Sequence, residues 1–147
     1  MSLDSLFKPR SIAVYGASAT DSRKLGNTLL KNAAGGTGDV LAVHPEAETI
    51  DGIPAFAKLN RRIDLALISV PDKRVEAAVI DAAAAGAGTA IVLSSGFGET
   101  GPEGRKVQDR LVAIARSSGM RLVGPNCMGV VSHLGDDRWL NGSYFWS

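Results

Sequence analysis

SIAVYGASATDSRKLGNTLLKNAAGG, residues 11–36, decides the fold. It opens on a run from Ser11 to Tyr15 that is too uniformly apolar for a strand with one wet face. Gly16 ends the run and small residues follow. Leu25, Leu29, Leu30 and Ala33 then recur at helical spacing until Gly35 and Gly36 stop them. A buried strand, a glycine turn and a helix in that order are the first half of a βαβ unit.

The alternation continues along the chain. Apolar strands are expected at 40–43 (VLAV), 65–70 (LALISV), 89–93 (TAIVL) and 121–123 (RLV). An irregular edge segment is expected at 50–56, and Val130 with Val131 starts a sixth strand. One helix is expected from Asp72, read as its N-cap, through Ala85, where the alanines at 82–85 let it lie close to a sheet. Another carries Val107, Leu111, Ile114 and Ala115, with Thr100 and Glu103 at capping-box spacing. The expected class is α/β: a Rossmann-like three-layer domain with a mostly parallel sheet and helices on both faces. Right-handed crossovers put loops 16–24, 44–47, 71–74, 94–100 and 124–129 along one edge, where ligands bind. The domain is expected over 1–135. Residues 136–147, with Trp139, Tyr144, Phe145 and Trp146, read as an aromatic C-terminal tail leading toward a missing second domain.

Composition removes several function classes. Lys and Arg number 16 against 15 Asp and Glu, so no basic field offers itself to nucleic acid. The single cysteine, Cys127, excludes a disulfide framework and a multi-cysteine metal site, and fits a reducing cytoplasm. The longest charge-free stretch, 82–98, is broken by glycine and serine and does not suit a bilayer. No membrane and no nucleic-acid partner is expected.

The first turn, Gly16-Ala17-Ser18-Ala19, would let a phosphate approach backbone N–H groups, with the positive end of the next helix behind it. Gly16→Val is accordingly expected to fill that space and spare the fold. The dinucleotide fingerprint is absent, because Ser18 and Asp21 stand where its second and third glycines belong. The second strand ends Val43-His44-Pro45, without the carboxylate that holds the ribose diol of NAD. An acid-free strand end suits a ribose carrying an extra phosphate, as in coenzyme A, and Lys24, His44 and Lys73 lie within reach of that edge. Lys73 and Arg74 suit a solvated first turn better than a ligand contact, and Ser18 suits a ligand contact better than a simple helix cap. Cys127 has no cationic neighbour in sequence and is not read as a nucleophile. Glu99 suits a helix-entry carboxylate better than a general base.

The ordered set of motifs resembles the N-terminal CoA-binding domain of NDP-forming acyl-CoA synthetases, relatives of the succinyl-CoA synthetase α subunit. The matches are Leu6-Phe7-Lys8-Pro9-Arg10-Ser11-Ile12-Ala13-Val14, Gly16-Ala17-Ser18 with Lys24-Leu25-Gly26-Asn27, and Val43-His44-Pro45. They continue through Ser69-Val70-Pro71, residues 95–101 (SGFGETG) and Gly124-Pro125-Asn126-Cys127-Met128-Gly129. The resemblance implies that Gly16, Ala17, Ser18 and Ala19 bind the CoA phosphates and that Val70 and Pro71 wall the adenine. It implies Ser94, Ser95 and Gly96 beside the pantetheine, and Asn126 and Cys127 near the reacting thioester. The implied parent reaction joins an acid to CoA with a nucleoside triphosphate, through an acyl phosphate and a phosphohistidine. Its partners are CoA or acyl-CoA and further domains or subunits of the synthetase. The phosphorylated histidine lies in a later domain, and neither His44 nor His133 sits in its motif, so this chain alone is expected to be inactive. His44 stands where the family has Asn, and Ala47 where the succinyl branch has a lysine. Lys24, with His44 and Pro45 near it, is the substitute at the 3′-phosphate. A free-standing CoA-binding or NAD(P)-binding module is the alternative.

Overall fold

The computed structural model describes residues 2–36 and 39–145, so Trp146 lies outside the described residues. After a short helix α1 (Asp4–Phe7), the chain runs β1 (Ser11–Tyr15), α2 (Leu25–Ala34), β2 (Asp39–Val43), β3 (Thr49–Ile50) and β4 (Ile53–Phe56). It continues through β5 (Leu65–Ile68), α3 (Asp72–Ala84), β6 (Thr89–Val92), α4 (Pro102–Ser118) and β7 (Arg121–Val123). Strands β8 (Gly129–Gly135) and β9 (Arg138–Ser143) follow. The main sheet has the order β3-β4-β2-β1-β5-β6-β7, and its pairs are parallel except β3 with β4 at the edge.

Period-2 alternation divides the strands between two cores. Ala13, Ala66 and Ala90 stand side by side across β1, β5 and β6, facing Val75, Ala78, Val79 and Ala82 of α3 and Leu111 and Ala115 of α4. Small residues on both sides let α3 lie close to the sheet. Of the alanine run 82–85, Ala82 alone is fully buried. Ile12, Val14, Leu65, Leu67 and Ile91 face the other way, onto Leu29, Leu30 and Ala33 of α2 and Leu140 of β9. A β8–β9 hairpin therefore occupies the place of a second helix on that face.

Several local expectations are corrected. Val130 and Val131 lie in β8, which pairs only with β9 in a separate two-stranded sheet. Residues 138–143 form β9 and pack onto the rest of the chain. The Trp139 carbonyl sits where a side chain on Gly36 would go, Leu140 is wholly buried, and Asn32 donates to the carbonyls of Ser143 (2.9 Å) and Phe145 (3.0 Å). Asp72 is not the N-cap of α3, because extended Pro71 holds that position and Asp72 is the first helical residue. Thr100 and Glu103 form no capping box. Pro102 starts α4 with its φ already helical, and the Thr100 hydroxyl donates to the Phe97 carbonyl instead. Among the described residues no helix is long and apolar enough to cross a membrane.

Candidate functional site

In this strand order β1 is where the chain reverses, with β2 on one side and β5 on the other. The crevice outside their carboxyl ends is the binding place that such a sheet provides. Backbone packing shapes it. A Cβ on Gly26 would lie 2.1 Å from the Gly16 carbonyl oxygen, and one on Gly16 would lie 1.9 Å from that of Ser69. Gly16 also holds a φ of +110°, open to glycine. Three backbone segments thus stack without side chains between them. Gly26 performs the helix-to-strand approach that the third fingerprint glycine performs elsewhere, further along the chain.

Asn27 fixes the turn above that stack. It is 2% exposed, accepts the Ser18 N–H (2.7 Å), and donates to the Ser18 carbonyl (2.9 Å) and to Asp51 (2.9 Å). The Ser18 hydroxyl accepts the amides of Thr20 (3.2 Å) and Asp21 (3.1 Å), so it braces the loop and does not cap α2. With the Ser18 amide taken, the amide of Ala17 remains for a ligand, along with those at the start of α2, which has no side-chain cap. Those are the donors an anion requires.

Gly16, Ala17 and Ser18, the start of α2 with Lys24, the end of β2 with His44 and Pro45, and Val70 and Pro71 after β5 enclose a cleft of about 530 Å³. A second cleft of about 490 Å³ shares Ser69, Val70 and Pro71 with it and adds Ser94, Ser95, Asn126 and Cys127. Hydrogen bonds tie these loops together: the Ser94 hydroxyl donates to the Val70 carbonyl (2.6 Å), and the Asn126 amide donates to the Ser94 carbonyl (2.9 Å). Ala19 and Gly96 line neither cleft. Ala19 is exposed on the loop, and Gly96 backs onto Asp72 with its amide held by the Glu99 carboxylate. That amide, with others of the same loop, keeps Glu99 below the usual carboxylate range.

Sequence reasoning missed Asn27, Arg74 and Tyr144. Lys73 lines neither cleft, whereas Arg74, one helical step on, lines the first. Tyr144 arrives from the hairpin and meets the Ser69 hydroxyl at 2.6 Å, over the second cleft. No local pattern announces a contact between residues so far apart in the chain.

Cys127 is half-buried, its thiol directed at the Val92 carbonyl at 3.4 Å, and burial pushes its pKa up. The thiolate is the reactive form, so a raised pKa delays reactivity to higher pH. Iodoacetamide is expected to alkylate Cys127 slowly at neutral pH, at a rate still climbing with pH where that of the unfolded chain has levelled off. Equal rates for native and unfolded chains at neutral pH would count against this.

Residues 10–133 match the family model described as the CoA binding domain. The ADP-forming acetate–CoA ligase I of Archaeoglobus fulgidus is 41% identical over 133 residues, which is 88% of this chain and 19% of that protein. The α subunit of ADP-forming acetate–CoA ligase II of Pyrococcus furiosus is 40% identical over 134 residues, covering 88% of this chain and 29% of the subunit. Among solved structures, the apo form of acetyl-coenzyme A synthetase 1 from Ca. Korarchaeum cryptofilum superposes with a TM-score of 0.86 at 35% identity. It covers 97% of this chain and 31% of its own. The chain therefore spans less than a third of the length of each of these relatives.

Proposed function

The chain belongs to the CoA binding domain family, and from that premise we propose that it is the CoA-binding part of an acyl-CoA synthetase, a ligase joining a carboxylic acid to the CoA thiol. The observation that carries the reading is the side-chain-free stack of Gly26, Gly16 and Ser69, which opens onto amides and an uncapped helix start. A pyrophosphate needs donors and an absence of bulk, and both are present there. Val70 stands as an apolar wall toward the adenine, and Pro71 continues that wall toward the second cleft. Ser94, Ser95, Asn126 and Cys127 continue the crevice for the pantetheine arm.

When bound, coenzyme A supplies the thiol that takes the acyl group. The residues of this chain bind and orient. His44 has its Nδ1 engaged by the amides of Glu46 (3.2 Å) and Ala47 (3.0 Å), and His133 packs at a 55° tilt against Trp139, 4.9 Å between ring centres. Neither is arranged to carry a phosphoryl group, so further domains or subunits of the parent would supply the phosphohistidine, the nucleotide site and the acyl pocket. The relatives' names make ATP the nucleotide to test first in the parent.

An NAD site is disfavoured on geometry, since Glu46 does not line the cleft and no carboxylate meets a ribose diol there. Calorimetry of the 147-residue chain against CoA, NAD and ATP is expected to give saturable heat with CoA alone. Saturation by NAD and not by CoA would overturn the proposal.

A further inference from the structure

We infer that Arg74, and not Lys24, reads the ribose 3′-phosphate of the ligand, assisted by the Nε2–H of His44, and so sets the preference for CoA over nucleotides lacking that phosphate. This rests on the CoA reading of the crevice. Beside the 530 Å³ cleft lies another, of about 340 Å³, on the far side of His44 and Pro45, where Ala57, Ala77 and Ala78 make an apolar surface. The first offers amides to a pyrophosphate, and the second offers an apolar seat to a base. In a nucleotide the ribose joins those two groups, so substituents on the ribose meet the wall that both clefts share. That wall is Val43, His44, Pro45, Val70 and Arg74.

Of these five, only His44 and Arg74 carry side-chain donors. The Nδ1 of His44 accepts two backbone amides, which places the proton of the neutral ring on Nε2. Arg74 is exposed on the first turn of α3 and makes no ion pair among the described residues. Its planar guanidinium matches a phosphate with two parallel hydrogen bonds. Lys24 lines the first cleft only and Lys58 the second only, so neither spans the ribose position. The one carboxylate in the apolar cleft, Asp81, is engaged by the Tyr15 hydroxyl (2.9 Å) and the Leu59 amide (3.3 Å).

Calorimetric titration of the wild type, Arg74→Gln and Lys24→Gln with CoA and with 3′-dephospho-CoA tests this. The wild type is expected to prefer CoA, and Arg74→Gln to reduce that preference about tenfold or more, the scale of one charge-assisted interaction. Lys24→Gln is expected to weaken both ligands alike and keep the preference. Equal binding of both ligands by the wild type, an unchanged preference in Arg74→Gln, or a preference lost in Lys24→Gln instead would each overturn the inference. A wild type that binds neither ligand would fail the CoA reading itself, so the two failures are distinguishable. Since Arg74 is exposed and unpaired, its replacement leaves the fold intact, which a melting curve verifies.

Discussion

Gly16→Val is expected to lower the melting temperature by about 10 °C, so that loss of ligand binding follows from loss of structure. A side chain at this position does not enter the ligand space that the sequence suggested. Its Cβ would lie 1.9 Å from the oxygen and 2.6 Å from the carbon of the Ser69 carbonyl, so β1 and β5 would have to part at the sheet's centre. Overpacking of this kind costs about 1–3 kcal/mol, and a branched side chain at φ +110° adds about 1–3 more. A total of about 4 kcal/mol, at about 2–4 °C per kcal/mol for a chain of this size, gives the expected shift. Gly119→Ala separates the two costs. Gly119 has φ +74° with nothing within 4 Å of the added atom, so it retains the backbone cost alone, about 1–2 kcal/mol. A Gly16→Val protein that melts like the wild type yet has lost CoA would restore the ligand-space reading.

The second large effect is expected at Asn27. Asn27→Ala removes three hydrogen bonds at a buried site and leaves both backbone groups of Ser18 without partners. The cost is about 3 kcal/mol, since stranded polar groups forfeit their hydration as well as the bonds. Asn27→Asp is the sharper probe. One oxygen still accepts the Ser18 amide, but the other replaces a donor and faces the Ser18 carbonyl and the Asp51 carboxylate. The new acid would fit only when protonated, so its pKa is raised in the folded chain. Stability from its hydrogen bonds is then fully present below the ordinary carboxylate range and lost as pH rises from there through the raised folded value. Urea unfolding is expected to show Asn27→Asp far below the wild type at neutral pH and closer to it near about pH 4. A gap that does not narrow on acidification would falsify the donor role assigned to this side chain.

The parallel sheet was legible because its strands are buried on both faces, and such strands announce themselves as unbroken apolar runs. Ser11–Tyr15 came out at its observed bounds. The crevice was legible for a related reason: glycine, serine and proline gather where strands stop, and most of the residues singled out there line two joined clefts. The hairpin was not legible. Its strands mix glycine, charge and exposed aromatics, and its turn is made by Asp136 and Asp137, with φ +50° and +59°. Two-residue turns of that shape are normally flagged by an asparagine or aspartate followed by glycine. Asn27 was illegible for another reason. A polar residue one step after a glycine reads as solvent-facing by periodicity, and its burial follows only from the close approach that Gly26 permits.

The hairpin also bears on how the molecule is made. Leu140 and the strand that carries it close the face beside α2, and Asn32 holds the carbonyls of Ser143 and Phe145. A nascent chain extruded only as far as residue 135 owns its whole parallel sheet, yet the core on the α2 side still lacks Leu140. Until residues 138–145 have also left the ribosome, that face stays apolar and open to chaperones, so its closure lags behind assembly of the sheet.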